Sequence, residues 1–345
     1  MRLSQTAETP LDLRDRKAEH IRLALDPRMQ LGASVFDGYH FGHEALPEID
    51  MAEIDLSTEF LGRRLAAPLL ISCMTGGTEA AGRINRNLAA GAERTGVALG
   101  VGSQRKALED PAQAATFQVR DAAPSIPLLA NLGAVQLNYG MGVRECRQAV
   151  DMIDADALVL HLNPLQEALQ PEGQTNFSGL LPKIGEVVRE LGAPVVVKEI
   201  GCGISGATAR ALAAQGVRIV DTAGVGGTSW ARIEAQRSGD LDLGELFAGW
   251  GLPTPLSIQE ARRAEGITTV IASGGVRNGL DAAKALALGA DLVGMAYPFL
   301  APATESPDHV AEKVRRIVQE LKICLFCLGV KTVAELRSVP LRKGT

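Results

Sequence analysis

Eight short runs of almost unbroken apolar residues recur along the chain, at 67–73, 97–102, 126–132, 157–162, 194–200, 217–223, 268–273 and 290–296. Each has the length of a strand. Continuous hydrophobicity without alternation marks strands buried on both faces, as in parallel sheets covered by their crossover helices. Between the runs lie Ala- and Leu-rich stretches with apolar residues at helical spacing and a glycine near the end, such as "EAAGRINRNLAAGAERTG", "ATARALAAQG" and "LDAAKALALGA". Eight repeats of a strand–helix unit predict an α/β fold of the (β/α)8 TIM-barrel type. An open doubly wound sheet is the alternative, because periodicity does not show closure. The expected organisation is a single domain over 1–345, with an N-terminal extension (1–66), a barrel core (67–300) and a C-terminal helical segment (301–345). Residues 224–256 are too many for an ordinary strand-to-helix loop and read as an insertion after strand 6, a lid or substrate wall.

In a barrel, chemistry collects at the carboxyl ends of the strands. Here those ends read "MTGG", "GSQR", "NLGAVQ", "HLNPLQE", "KEIG", "AGVGGTSW", "SGGVRNG" and "GMAYP". Nearly all are polar or glycine-rich, which suits strands arranged around a polar ligand. "SGGVRNGLDAAKAL" runs from a strand through a glycine pair into a helix N-terminus, and with "GMAYPFL" and "AGVGGT" it matches a phosphate cradle of backbone N–H groups. The bland reading is three tight turns. Lys198 lies inside the apolar run "PVVVKEI", where an unpaired ammonium is costly, so it points into the barrel mouth or is neutralised. Glu199 is not its natural partner, since neighbours in a strand face opposite sides. The segment "HLNPLQEALQPEGQ" gathers His161, Asn163, Gln166 and Glu167 where the fourth strand ends, and "DLRDRKAEHIRLAL" predicts a helix carrying Arg16, Lys17 and His20. Taken alone, that helix reads as a solvated charged face.

Composition narrows the function class. With 46% hydrophobic residues the chain can bury a large core, and 37 glycines exceed the usual ~7%. A net charge of −5 argues against nucleic-acid binding. No run approaches the ~20 apolar residues of a membrane span and the N-terminus has no apolar signal core, so a cytoplasmic location is expected. Five scattered cysteines do not suggest a disulfide framework. The "CLFC" pair, Cys324 and Cys327, lacks a second pair nearby for zinc and reads as core packing; "HFGH", with His40 and His43, meets the same objection. The apolar helix "VRRIVQELKICLFCLGV" would join a subunit contact or pack on the barrel.

The segments "RKAEHI", "ALPEI", "MTGG", "GVGSQR", "HLNPLQEALQPEGQTNF", "VVVKEIGCGIS", "DTAGVGGTSWARIE" and "ASGGVRNGLDAAKALALGAD" together resemble the type 2, FMN-dependent isopentenyl diphosphate isomerases. The resemblance runs from Arg16 to the end of the eighth strand. It implies FMN across the barrel mouth, its ring near Thr75, Gly76, Ser103, Asn131 and Lys198 and its phosphate near Thr228, Gly275, Arg277 and Ala296. Met74, Gly77, Gly274 and Tyr297 would be further cofactor contacts. Arg16, Lys17, His20, Arg105, His161 and Asn163 would bind the substrate diphosphate, Gln166 would sit at its hydrocarbon end, and Glu167 would hold Mg2+. The catalytic set so implied is Gln166, His161 and Lys198. NADPH would keep the flavin reduced, isopentenyl and dimethylallyl diphosphate would be the partners, and the chain would form a homo-oligomer, a tetramer or octamer. The competing readings are an FMN-dependent oxidoreductase of the hydroxy-acid oxidase or IMP dehydrogenase type, and a non-catalytic flavin-binding barrel. The oxidases need a His base where this chain has Ser273, and the dehydrogenase needs a cysteine that "AGVGGTSWARIE" lacks.

Overall fold

The structure, a computed structural model, describes residues 13–344; for residues 13–18 it describes the backbone alone. Eight parallel strands close into a barrel: β1 (Leu69–Ile71), β2 (Ala98–Gly100), β3 (Leu128–Gly133), β4 (Ala157–His161), β5 (Val195–Lys198), β6 (Ile219–Asp221), β7 (Thr269–Ala272) and β8 (Leu292–Met295). Each strand pairs with its neighbours in sequence, and β8 returns to pair with β1. Each apolar run holds one of these strands, β3 running one residue past its run to Gly133, and closure decides against the open sheet.

The period-2 rule explains why unbroken apolar strands were required. Leu70, Ala98, Leu129, Ala157, Val159, Val196, Ile271 and Leu292 form one cluster inside the barrel. Their strand neighbours, among them Leu69, Ile71, Leu128, Leu158, Val195, Val197 and Val293, belong to a second cluster with the surrounding helices. The hairpin formed by Thr58–Phe60 and Arg63–Leu65 adds Phe60 and Leu65 to the inner cluster. Helices start where short polar side chains cap them. Thr78 accepts from Ala81 N–H ahead of helix Glu79–Thr95, and Asn278 accepts from Asp281 N–H ahead of Gly279–Ala287. Each such cap is worth about 1 kcal/mol.

The N-terminal extension is built onto the barrel. Its helix, Leu13–Leu25, follows the predicted bounds closely and packs through Leu23, with Met29, against Ile233 and Trp230. Strand Tyr39–Phe41 pairs antiparallel with Leu341–Lys343, near the other end of the chain. The insertion after β6 folds into helices Trp230–Ser238 and Leu241–Leu246. The C-terminal helix Pro307–Phe326 packs on the barrel's outer layer with Val310, Val314, Ile317, Leu321 and Leu325 buried. Cys324 and Cys327 are free and half-buried, and burial pushes the Cys324 thiol up to about 11. Among the described residues, no helix is long and apolar enough to cross a membrane.

Candidate active site

The inner face of the barrel turns polar at its carboxyl end. Two residues beyond the inward Leu70, Leu129, Val159, Val196, Ile219 and Ile271 stand Ser72, Asn131, His161, Lys198, Asp221 and Ser273, so the alternation that fills the barrel also presents this layer to the mouth. They surround or underlie a cavity of about 300 Å3 walled by all eight strand ends. Lys198 points inward as expected, and the structure supplies the partner that the sequence did not reveal: Asp221 Oδ2 lies 3.3 Å from Lys198 Nζ, both side chains buried. The Ser273 hydroxyl donates to the other oxygen of Asp221. Glu199 faces away and accepts the backbone N–H groups of Ile200, Gly201 and Cys202.

His161 Nδ1 is 2.8 Å from Asn131 Oδ1. Burial first, and then the Lys198 charge, push the imidazole down to about 4, so it is neutral at neutral pH. The unfolded chain then binds more protons than the folded one between about pH 4 and 6.5, and stability rises with pH across that window. The cofactor-free protein is therefore expected to lose about 3 kcal/mol from this group as pH falls from 6.5 to 4. Urea midpoints measured across the range should show the loss, and His161→Gln should flatten it; equal slopes in the two proteins would assign the acid sensitivity elsewhere.

Beyond β4, helix Pro164–Leu169 carries the polar cluster. Asn163 Nδ2 donates to Gln166 Oε1 (3.0 Å) and to Glu167 Oε1 (2.8 Å), and Glu167 Oε2 accepts from Gln174 N–H (2.6 Å). Gln166 Nε2 donates to Glu234 Oε1 at 2.8 Å, and His20 Nε2 lies 3.1 Å from the same oxygen. Burial pushes Glu234 up, but His20, Gln166 and Arg237 more than offset it, and its carboxyl lies below the ordinary value. The His20 ring meets Trp230 edge to face, 5.4 Å between centroids. Asn163 Oδ1 and Ser72 Oγ are buried without a hydrogen-bond partner, a costly state that a ligand would relieve.

On the opposite side, the turns after β6 and β7 press backbone on backbone. A Cβ on Gly227 would come within 2.7 Å of the Gly275 nitrogen, and Gly275 itself has φ +75°. Ala223, at the end of β6, holds φ +35°, a conformation that costs a non-glycine residue about 1 kcal/mol or more and that clusters at functional sites. Two of the three glycine-rich turns noted in the sequence thus lie backbone against backbone.

A profile of the FMN-dependent dehydrogenase family matches residues 28–124 and 178–343. Solved mandelate oxidase structures superpose at TM-scores up to 0.66 with 18% identity, one covering 98% of this chain and all of that one, a likeness of fold alone. Curated relatives are nearer. An isopentenyl-diphosphate delta-isomerase of Synechococcus sp. is 51% identical over 333 residues, 94% of this chain and 95% of the relative. One of Nostoc sp. is 49% identical over 97% and 96%, and one of Rickettsia bellii 47% over 96% and 98%. The chain belongs to the isopentenyl-diphosphate delta-isomerase family. The residues that the broader dehydrogenase profile leaves unmatched, 125–177, include the His161–Glu167 cluster, whereas the isomerase relatives match over nearly the whole chain.

Most residues expected from the isomerase resemblance line one cavity. His20, Arg105, His161, Asn163, Gln166, Glu167, Met74, Thr75, Ser103, Asn131, Lys198, Thr228, Gly274, Gly275, Arg277, Ala296 and Tyr297 all line the cavity. Gly76 and Gly77 do not. A Cβ on Gly76 would strike the Phe117 ring, and Gly77 N–H donates to Thr116 Oγ1 (2.8 Å), so this pair shapes a turn behind Met74 and Thr75. Arg277 lines the cavity, yet its guanidinium donates to the carbonyls of Leu31, Gly32 and Gly226, tying the N-terminal extension to the cradle. Arg16 and Lys17 lie on helix Leu13–Leu25, but their side chains fall outside the described residues. Asp221, Glu234 and Ser72 were missed. Asp221 carried a readable signal, an acid in an apolar strand; Glu234, in a helix of mixed polarity, carried none.

Proposed function

We propose that the protein converts isopentenyl diphosphate to dimethylallyl diphosphate, reversibly, with FMN across the barrel mouth and Mg2+ on the diphosphate. The observation that carries this reading is the wall made by His161, Asn163, Gln166 and Glu167, facing a glycine cradle in one cavity. The residues present fit both groups. The glycine turns line the cavity with backbone, Ser72 Oγ and Asn163 Oδ1 await partners, and Lys198 brings a buried positive charge to it. Glu167 would hold Mg2+ by a carboxylate that keeps lone pairs free. Among the described residues, no group of three or more His, Cys, Asp or Glu converges as a ready metal cage, so the diphosphate and water would complete the shell.

The reaction adds a proton to an alkene carbon and removes one from an allylic carbon, with no net oxidation. Neither step suits an unaided side chain near pH 7. Reduced FMN, primed by NADPH, supplies ring nitrogens, N5 above all, that exchange protons in this range. The chain does the rest. Lys198, held by Asp221, favours an anionic reduced cofactor beside it. Gln166 is fixed at both ends, by Asn163 and Glu234, which aims its amide at the hydrocarbon end of the substrate. Neutral His161 and Asn163 offer hydrogen bonds to the diphosphate, and Arg105 adds a full charge from the wall.

The test is proton NMR of the purified protein with isopentenyl diphosphate, Mg2+, FMN and NADPH in D2O without oxygen. Deuterated dimethylallyl diphosphate is expected with reduced FMN and absent with oxidised FMN. Bound FMN without product would move the protein to the oxidoreductases.

A further inference from the structure

We infer that Arg237, a residue outside the cavity wall, is a positioning residue that locks three segments of the mouth together for substrate. This inference rests on the isomerase reading for its kinetic consequence, though not for its structural one.

Arg237 lies on helix Trp230–Ser238, in the insertion after β6, with its side chain 10% exposed. Its guanidinium reaches three carboxylates on three segments. Nη1 meets Glu234 Oε2 at 2.5 Å on its own helix, and Nη2 meets Glu172 Oε1 at 3.1 Å in the loop after helix Pro164–Leu169. Nε lies 3.4 Å from Glu19 Oε2 on the N-terminal helix. The planar fork donates hydrogen bonds to Glu234 and Glu172 and holds Glu19 by charge, Nε making no hydrogen bond, and an ammonium on a flexible stem cannot reach the three in the same geometry.

Each segment carries a cavity-facing group. The N-terminal helix brings His20, the segment after β4 brings Gln166, Glu167 and Gln170, and the insertion brings Trp230. Glu234 joins the lock to the site. Its side chain is fully buried, one oxygen on Arg237 and the other facing Gln166 and His20. Without Arg237 the three carboxylates lose the guanidinium they share, and Glu234 is left buried with His20 and the Gln166 amide. Loss of this shared clip loosens the N-terminal helix at the mouth. Surface ion pairs do little of this kind, but the Arg237–Glu234 pair is withdrawn from water on both sides.

Hydrogen exchange of residues 13–25 and steady-state kinetics, both on the FMN-loaded protein, test the lock in Arg237→Met, Arg237→Lys and Glu172→Gln. Arg237→Met is expected to speed exchange in the N-terminal helix at least tenfold and to raise KM for isopentenyl diphosphate at least tenfold, more than it lowers kcat. FMN affinity should stay within twofold of the parent protein. Arg237→Lys should recover part of the KM loss, because the charge returns without the fork. Glu172→Gln, which leaves Glu234 paired, should change exchange and KM in the same direction by about threefold, and it serves as the test if Arg237→Met does not fold. Unchanged exchange in Arg237→Met, or in Glu172→Gln when the former does not fold, overturns the lock. Faster exchange in a protein that shows no isomerisation even in its parent form would keep the lock and discard the isomerase reading.

Discussion

Gln166→Ala is expected to lower isomerisation on the order of a thousandfold while FMN remains bound. Gln166 is the amide that spans from Asn163 to Glu234, accepting from one and donating to the other. Truncation removes the amide proposed to face the hydrocarbon end of the substrate. It also takes one hydrogen bond from Glu234, which keeps Arg237 and His20, and one from Asn163, which keeps Glu167, at about 0.5–1.5 kcal/mol apiece. The cradle between the turns after β6 and β7 is untouched, so FMN fluorescence quenching should titrate as in the parent protein. Gln166→Glu is a sharper companion. It sets a carboxylate against Glu234, and one of the two must take up a proton. Retained activity in Gln166→Ala, measured by NMR product formation, would remove Gln166 from the chemistry.

The second large effect belongs to Lys198. Breaking a buried ion pair by deleting one member typically costs about 3–5 kcal/mol, because the other charge stays behind without compensation. Lys198→Met should therefore lower the urea midpoint of the cofactor-free protein by that amount, leaving Asp221 with the Ser273 hydroxyl as its side-chain partner. Lys198→Met combined with Asp221→Asn should regain most of the stability, since the orphaned charge is gone too. It should not regain FMN affinity or activity, since the positive charge is still missing from the mouth. Equal stability of the single variant and the parent would mean that the pair contributes nothing to the fold. Recovery of FMN affinity in the double variant would mean that Lys198 serves Asp221 and not the cofactor.

The fold was legible because its signal is local. Eight buried strands announce themselves by composition, and within one of them the period of two sent Lys198 inward and Glu199 outward before any contact was known. The partner of Lys198 was hidden for a geometric reason: Asp221 pairs with it across a strand boundary, and the relative register of β5 and β6 is set by barrel closure. Glu234 and Arg237 were hidden for another. They sit in an insertion whose helices fold back over the mouth, and an i, i+3 acid–base pair reads as an ordinary exposed helix face until that packing is known. Some roles had no sequence signal: Gly76 makes room for the Phe117 ring, Gly77 N–H donates to Thr116 Oγ1, and Arg277, which lines the cavity, also holds three carbonyls. The His161–Glu167 cluster was legible through its residue types, because a strand interior would not have tolerated them.

The pairing of Tyr39–Phe41 with Leu341–Lys343 imposes an order in time on a protein made from one end. Strand β1 likewise needs β8, separated from it by the whole barrel sequence. During synthesis at about 5–20 residues per second, roughly 300 residues must follow Tyr39 before its partner exists, a wait on the order of 15 to 60 seconds. Over that interval the nascent half-barrel presents open strand edges and the apolar faces meant for its missing helices, the surfaces that favour mispairing and aggregation. Ribosome-associated chaperones are therefore expected to meet this chain early and release it late, and a mutation near residue 341 would act first on yield during expression and only afterwards on the finished enzyme.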